Sequence, residues 1–188
     1  MSESISVEAT FCFVDIAGYT ALTDSHGDLA AADLVDDFCQ VVRESIHSHG
    51  HFQSLIGDCA FLLFPDPVSA THALSELYQL IAGRHSFPIV RAGLHHGTAV
   101  LRGHHHVGTA VNIAARIAAQ ATGGQILCTD SIVDRLRLAN LADVEVLHQG
   151  SVYLKNLPEP VELYELVPGG LAHTYALDPV CRMQVDIH

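Results

Sequence analysis

An asparagine and an arginine stand four residues apart in the small-residue run Val111-Asn112-Ile113-Ala114-Ala115-Arg116. On a helix that spacing puts Asn112 and Arg116 on one face, pointing the same way. An amide and a permanently charged fork aimed at one spot suit developing negative charge, such as a phosphoryl group under attack. Alone, the pair reads more simply as an N-cap-like Asn and a solvated Arg. Two carboxylates upstream shift that balance. Asp15 closes an apolar run and Asp58 sits between two others. Facing acids raise one another's pKa unless a cation lies between them. Magnesium fits, taking one or two protein carboxylates and completing its octahedron with water and substrate phosphates. A pair of such ions lowers the pKa of an attacking hydroxyl and holds the leaving oxygens of an in-line displacement. Taken singly, Asp15 equally caps a turn and Asp58 equally satisfies a hairpin.

Several elements must position these groups. Glu8–Ile16, β-branched and aromatic, reads as a buried strand broken by Gly18. Thr23 to Gly27 reads as a polar turn, with Asp28 as N-cap of a long helix to about Ser48 and Leu34, Phe38, Val41, Val42 and Ile46 as its apolar stripe. His51–Ile56 and Cys59–Phe64 are separated only by Gly57-Asp58, a tight-hairpin signal. A second helix is predicted over Val68–Ala82. A strand follows within Phe87–Val100, with Gly97 marking a bulge or turn. Thr109–Gln120 is the Asn/Arg helix, ended by Gly123-Gly124. Gln125–Cys128, Ser131–Leu138, Val144–His148 and Val161–Val167 read as strand, helix and two strands. This order predicts an α+β fold: a ferredoxin-like βαββαβ sandwich core with additional C-terminal strands and a helix.

Composition excludes other classes. With 188 residues, 49% hydrophobic and 16% charged, the chain can bury one core. Nine basic against twenty-one acidic residues give a net charge of -12, which repels a phosphate polymer, so no nucleic-acid polymer or anionic membrane surface is expected as partner. No signal segment opens the chain and no apolar run is long enough to span a bilayer, which predicts a cytoplasmic protein. Five cysteines, never spaced C-x-x-C, predict reduced thiols. Of the fourteen histidines, eight cluster at 47–51, 95–96 and 104–106. Such clusters can bind transition metals, but they lack a Cys partner or a helical i, i+4 pair and read first as exposed loop histidines.

Set in order, Phe13-Val14-Asp15-Ile16-Ala17-Gly18-Tyr19-Thr20, Ile56-Gly57-Asp58, Gly93-Leu94-His95-His96-Gly97, Gly108, Val111 to Arg116 and Gly124-Gln125-Ile126-Leu127 resemble the class III nucleotidyl cyclase catalytic domain. The resemblance covers residues 8–167. Leu154 to Tyr164 also resembles that family's closing segment, with Asn156 where glycine is usual. The resemblance implies two Mg²⁺ or Mn²⁺ ions per active site, held by Asp15, Asp58 and the Ile16 carbonyl. The backbone near Gly18–Thr20 would then hold the triphosphate. It further implies that Asn112 orients the ribose, Arg116 stabilises the α-phosphate transition state and Lys155 meets the terminal phosphates. Such domains work as dimers, so a homodimer would build two composite sites.

Two departures concern the base. Adenylyl-type members carry a lysine four residues before the second aspartate and an aspartate just before the Asn/Arg helix; here those positions are Ser54 and His105. Guanylyl-type members place a glutamate at the first. Ser54 and His105 can each make hydrogen bonds but spell neither purine. Buried polar readers give the steepest discrimination, so selectivity is expected to suffer before phosphate chemistry does. Residues 168–188 read as a linker, Pro168-Gly169-Gly170, and a tail in which Asp178 to Asp186 resembles the opening of a YHS domain, with Arg182 replacing a usual glycine. One cysteine and one methionine make a poor metal site, so the tail is expected to be a truncated remnant. The leading expectation is an enzyme turning a nucleoside triphosphate, ATP first, into its 3′,5′-cyclic monophosphate and pyrophosphate. The alternatives are a cyclase-like regulatory module that binds nucleotide or a partner with little turnover, and a metal-responsive protein using the histidine clusters and Cys181.

Overall fold

A computed structural model describes residues 4–84 and 87–169, together with the backbone of 175–177 and 184–186. Strand β1 (Ser4–Ile16) is followed by α1 (Tyr19–His26), α2 (Asp28–Ile46), the hairpin β2 (His51–Ile56) and β3 (Cys59–Phe64), α3 (Pro67–Ala82) and β4 (Val90–Arg102). Then come the short β5 (His105–Val107), α4 (Thr109–Gln120), β6 (Ile126–Thr129), α5 (Asp130–Ala139), β7 (Val144–Val152) and β8 (Val161–Pro168). The main sheet runs β2-β3-β1-β4-β6-β8-β7, with β5 folded back on β4; only β4 and β6 pair in parallel. β1 through β4 with their helices form the expected βαββαβ core, and the extra elements extend it past β4. Two short strands, β9 (Tyr175–Leu177) and β10 (Gln184–Asp186), pair with each other. Most of the YHS-like stretch, Cys181 included, lies outside the described residues.

Alternation along the strands divides the sheet into two faces. Cys12, Val14 and Ile16 of β1, Ala60, Leu62 and Phe64 of β3, and Val90, Ala92 and Leu94 of β4 point to the face covered by α2, α3 and α5. There they meet Phe38, Val41, Val42, Leu74 and Leu77 in the main core. Each Val, Leu, Ile or Phe side chain among them, fully buried, contributes about 1.5–3 kcal/mol. Phe11, Phe13 and Phe61 point the other way, against Ala110, Ala114 and Ala118 of α4. That second face is thinner, and Asp15 and Arg91 share its parity.

Three expectations need correction. Thr23 to His26 form the end of α1, not a turn, because Thr23 and Ser25 donate to carbonyls four residues back, at 3.0 and 2.7 Å, and so satisfy themselves within a helix. The N-cap of α2 is Gly27, with φ 84°, and Asp28 is its first residue; the helix stops at Ile46. Leu34 is only half-buried while Phe38, Val41, Val42 and Ile46 are buried as predicted. Gly97 makes no bulge: β4 pairs with β1 from Val90 to Arg102 without a shift in register. Its small size instead admits Ala110, whose Cβ lies 3.2 Å from where a Gly97 Cβ would stand.

Candidate active site

β1 and β3 pair antiparallel with Asp15 opposite Cys59, and the two-residue turn Gly57-Asp58 lies next to that pair. Gly57 has φ 64°, a conformation glycine adopts without strain, which closes the hairpin tightly enough to hold Asp58 at the end of β1. Burial pushes the Asp58 carboxyl up to about 6, reinforced by the Asp15 charge and a hydrogen bond shared with Asp15. Two acids are thus crowded together, the arrangement that a divalent cation relieves. Cys59 beside them stays a thiol, its pKa pushed to about 12 by burial and by both aspartates.

The residue facing Asp15 across β4 is Arg91, which the sequence reading did not select. Its Nε and Nη2 both donate to Asp15 Oδ2, at 2.8 and 2.5 Å, and its Nη1 donates to the Ala121 carbonyl at 3.2 Å. Ala121 is the C-cap of α4, so this guanidinium ties the acid pair to the helix carrying Asn112 and Arg116. The signal was present: a lone cation inside the apolar run that leads to Gly93 needs a buried partner.

Gly93 seats α4. A Cβ there would stand 2.0 Å from the Ala118 backbone nitrogen, so helix and strand touch backbone to backbone. Gly108, with φ 148°, turns the chain into α4. Asn112 is exposed and Arg116 half-buried. Lys155 is exposed in the β7–β8 connection, followed by Asn156 at φ 59°, where a glycine substitute must accept the left-handed region and Asn does so readily. Among the described residues, no hydrogen bond or ion pair engages the side chains of Asn112, Arg116 or Lys155, and none links them to Asp15 or Asp58.

Ser54 is half-buried on β2 opposite Phe61, next to an irregularity at Gln53. His105 is exposed on β5, whereas His106 turns inward, its ring centroid 6.1 Å from that of Phe11. Burial lowers the His106 pKa, and its Nδ1 has no partner among the described residues. The histidine clusters form no group of three or more metal ligands among the described residues. Cys12, Cys39, Cys59 and Cys128 are free thiols. No described helix is long and apolar enough to cross a membrane.

This sheet, with its acid pair and its α4 seated on glycine, is the fold of a class III nucleotidyl cyclase catalytic domain. An adenylate cyclase from Trypanosoma brucei, solved in its monomeric state, superposes with a TM-score of 0.80 over 95% of each chain at 22% identity. Among curated proteins, the chain is 29% identical over 136 residues to a pH-sensitive adenylate cyclase of Mycobacterium tuberculosis, covering 72% of this chain and 34% of that one. It is 32% identical over 164 residues to an uncharacterized protein of the same species, covering 87% of this chain and 42% of that one. The chain is thus similar in sequence to an adenylate cyclase and spans less than half the length of the curated relatives it matches. No family model matches it.

Proposed function

We propose that the chain forms a homodimeric cyclase that turns ATP into 3′,5′-cyclic AMP and pyrophosphate. The observation carrying this reading is the crowded Asp15–Asp58 pair. Two carboxylates held this close, with Asp58 pushed up by burial and by the Asp15 charge, favour a divalent ion between them, and oxygen donors of this kind suit Mg²⁺ or Mn²⁺. Asp15, Asp58 and the Ile16 carbonyl would hold two such ions. When bound, the ions supply an acidified ribose 3′-hydroxyl and charge neutralisation at the phosphates. In the reaction the O3′–Pα bond forms, the bond from Pα to the bridging oxygen of the β-phosphate breaks, and the hydroxyl proton is released. Arg116 donates to the α-phosphate as its charge develops, Asn112 orients the ribose, and Lys155 meets the terminal phosphates. Gly18, the N-cap of α1 with φ 79°, adds no side chain of its own where the triphosphate would lie against the backbone of Gly18–Thr20.

The same geometry supports a dimer. Asn112 and Arg116 have no partner within the described chain, and nothing bonds them to its own acids. A second copy would bring its acids to this α4, and its α4 to these acids. Rates of cyclic nucleotide formation from Mn²⁺-ATP test the assignment. Asp15→Ala should abolish turnover, and Arg116→Ala should lower it about 10²–10³-fold with a smaller change in affinity. Unchanged rates in both would eliminate it. The base-reading pair favours a second reading, a module that binds nucleotide with little turnover, because neither Ser54 nor His105 specifies a purine. Calorimetric nucleotide binding without cyclic product would select that reading.

A further inference from the structure

The acid pair already holds a cation, and that cation belongs to the protein. Arg91 spends two of its donors on one oxygen, Asp15 Oδ2, and a third on the Ala121 carbonyl. The Asp15 side chain is 16% exposed and that of Arg91 30%, so solvent and salt screen the pair little. A divalent ion that draws on Asp15 Oδ2 competes directly with this guanidinium, and any ion between Asp15 and Asp58 would sit beside its fixed positive charge. Two cations cannot share one carboxylate oxygen at contact distance without repulsion.

We propose that Arg91 is a resident counter-ion of the acid pair, which a divalent ion has to displace from Asp15, so that Arg91 sets the metal concentration at which the site loads. The proposal rests on the metal-binding reading of Asp15 and Asp58. The guanidinium has somewhere to go. A cavity of about 420 Å³ lies against it, lined by Ala17, Gly18, Ile89, Ala121 and Gly123. The bond to Ala121 can hold the side chain there while Nε and Nη2 release Asp15. Since Ala121 caps α4, loading one protomer's acids is felt at the end of the helix that presents Asn112 and Arg116.

The test is Mn²⁺ binding to the nucleotide-free protein, followed by electron paramagnetic resonance of free Mn²⁺, which needs no turnover. Charge-assisted bonds of this kind are strong enough that their loss should tighten Mn²⁺ binding about tenfold in Arg91→Gln. Arg91→Lys, which keeps the charge, should stay within about twofold of wild type on the same reasoning. In the wild-type protein, titration with diamagnetic Mg²⁺ should move the Arg91 Nε–H resonance with the midpoint of Mg²⁺ binding, a readout that survives if Arg91→Gln fails to fold. Asp15→Ala separates the two levels of the argument. If it loses Mn²⁺ binding while Arg91→Gln binds no tighter and the Nε–H resonance does not respond, the counter-ion role is overturned and the metal site stands. If Asp15→Ala binds Mn²⁺ like wild type, both fall.

Discussion

Replacing Gly93 by alanine perturbs the one place where β4 and α4 touch backbone to backbone. The added Cβ would stand 2.0 Å from Ala118 N, 2.5 Å from Ala118 Cα and 2.7 Å from the Ile117 carbonyl carbon. None of these atoms is the end of a flexible side chain, so the helix itself must move. Regaining an ordinary 3.4 Å contact from 2.0 Å requires a displacement of about 1.4 Å. Overpacking of this kind costs about 1–3 kcal/mol, which for a chain of this size lowers the melting temperature by roughly 2–12 °C. The functional cost is separate. Asn112 and Arg116 ride on α4, and a misplacement near 1 Å lowers rates about 10²-fold. The Arg91–Ala121 bond, at 3.2 Å, would break as well. Thermal melting and the Mn²⁺-ATP cyclase rate, measured on the same preparation, check both parts. Gly83→Ala is the control: its nearest atoms would lie at 3.7 Å, so its melting should stay within about 0.5 kcal/mol of wild type. Gly93→Ala with wild-type melting and rate would refute the seating of α4 described above.

Other outcomes follow from the same geometry. Burial and the Asp15 charge raise Asp58 from its ordinary 3.8 to about 6, so its contribution to stability is present below 3.8 and lost as pH rises through 6. Asp58→Asn should therefore melt higher than wild type at pH 8, by no more than about 1 kcal/mol because the group is partly solvated, with the gain shrinking toward pH 5. Asp15→Asn, which strands Arg91, should melt lower. Burial pushes His95 the other way, from 6.5 down to about 4, against weaker opposition from Asp130. The fold keeps it neutral while the unfolded chain takes up a proton below 6.5, so about 3 kcal/mol should be lost as pH falls from 6.5 to 4. His95→Gln should flatten that slope in acid-denaturation curves, and an unchanged slope would show that His95 is solvated. Ser54→Lys combined with His105→Asp should raise kcat/KM for ATP over the other ribonucleotide triphosphates; no change would mean that these positions do not face the purine.

The hairpin, α4 and the βαββαβ succession of the core were legible because each is written in local chemistry. Gly57-Asp58 can be little but a turn, and an alanine-rich helix between Gly108 and Gly123-Gly124 has both ends marked. The α1 helix was not, because Thr23, Ser25 and Gly27 look like turn residues until their bonds to preceding carbonyls are known. The length of β4 was misread for a related reason. Gly97 signals a break in isolation, but thirteen paired residues on β1 carry the strand through it. The acid pair was found through its spacing, yet Arg91 was not, since nothing local says that position 91 faces position 15. The polar cluster in which His96 meets Thr10 at 3.0 Å and Glu8 at 3.1 Å, with Arg135 also on Glu8, was missed likewise. Its members are brought together only by register.

In the proposed dimer, acids of one protomer act on a nucleotide together with Asn112 and Arg116 of the other. Mixing Asp15→Ala with Arg116→Ala tests it most directly, by cyclic nucleotide formation from Mn²⁺-ATP. Each variant alone should be nearly silent. Together they should form heterodimers with one intact composite site, restoring up to about a quarter of wild-type activity when exchange is complete. A mixture no more active than the sum of its two components, under conditions where subunit exchange is verified, would contradict the claim.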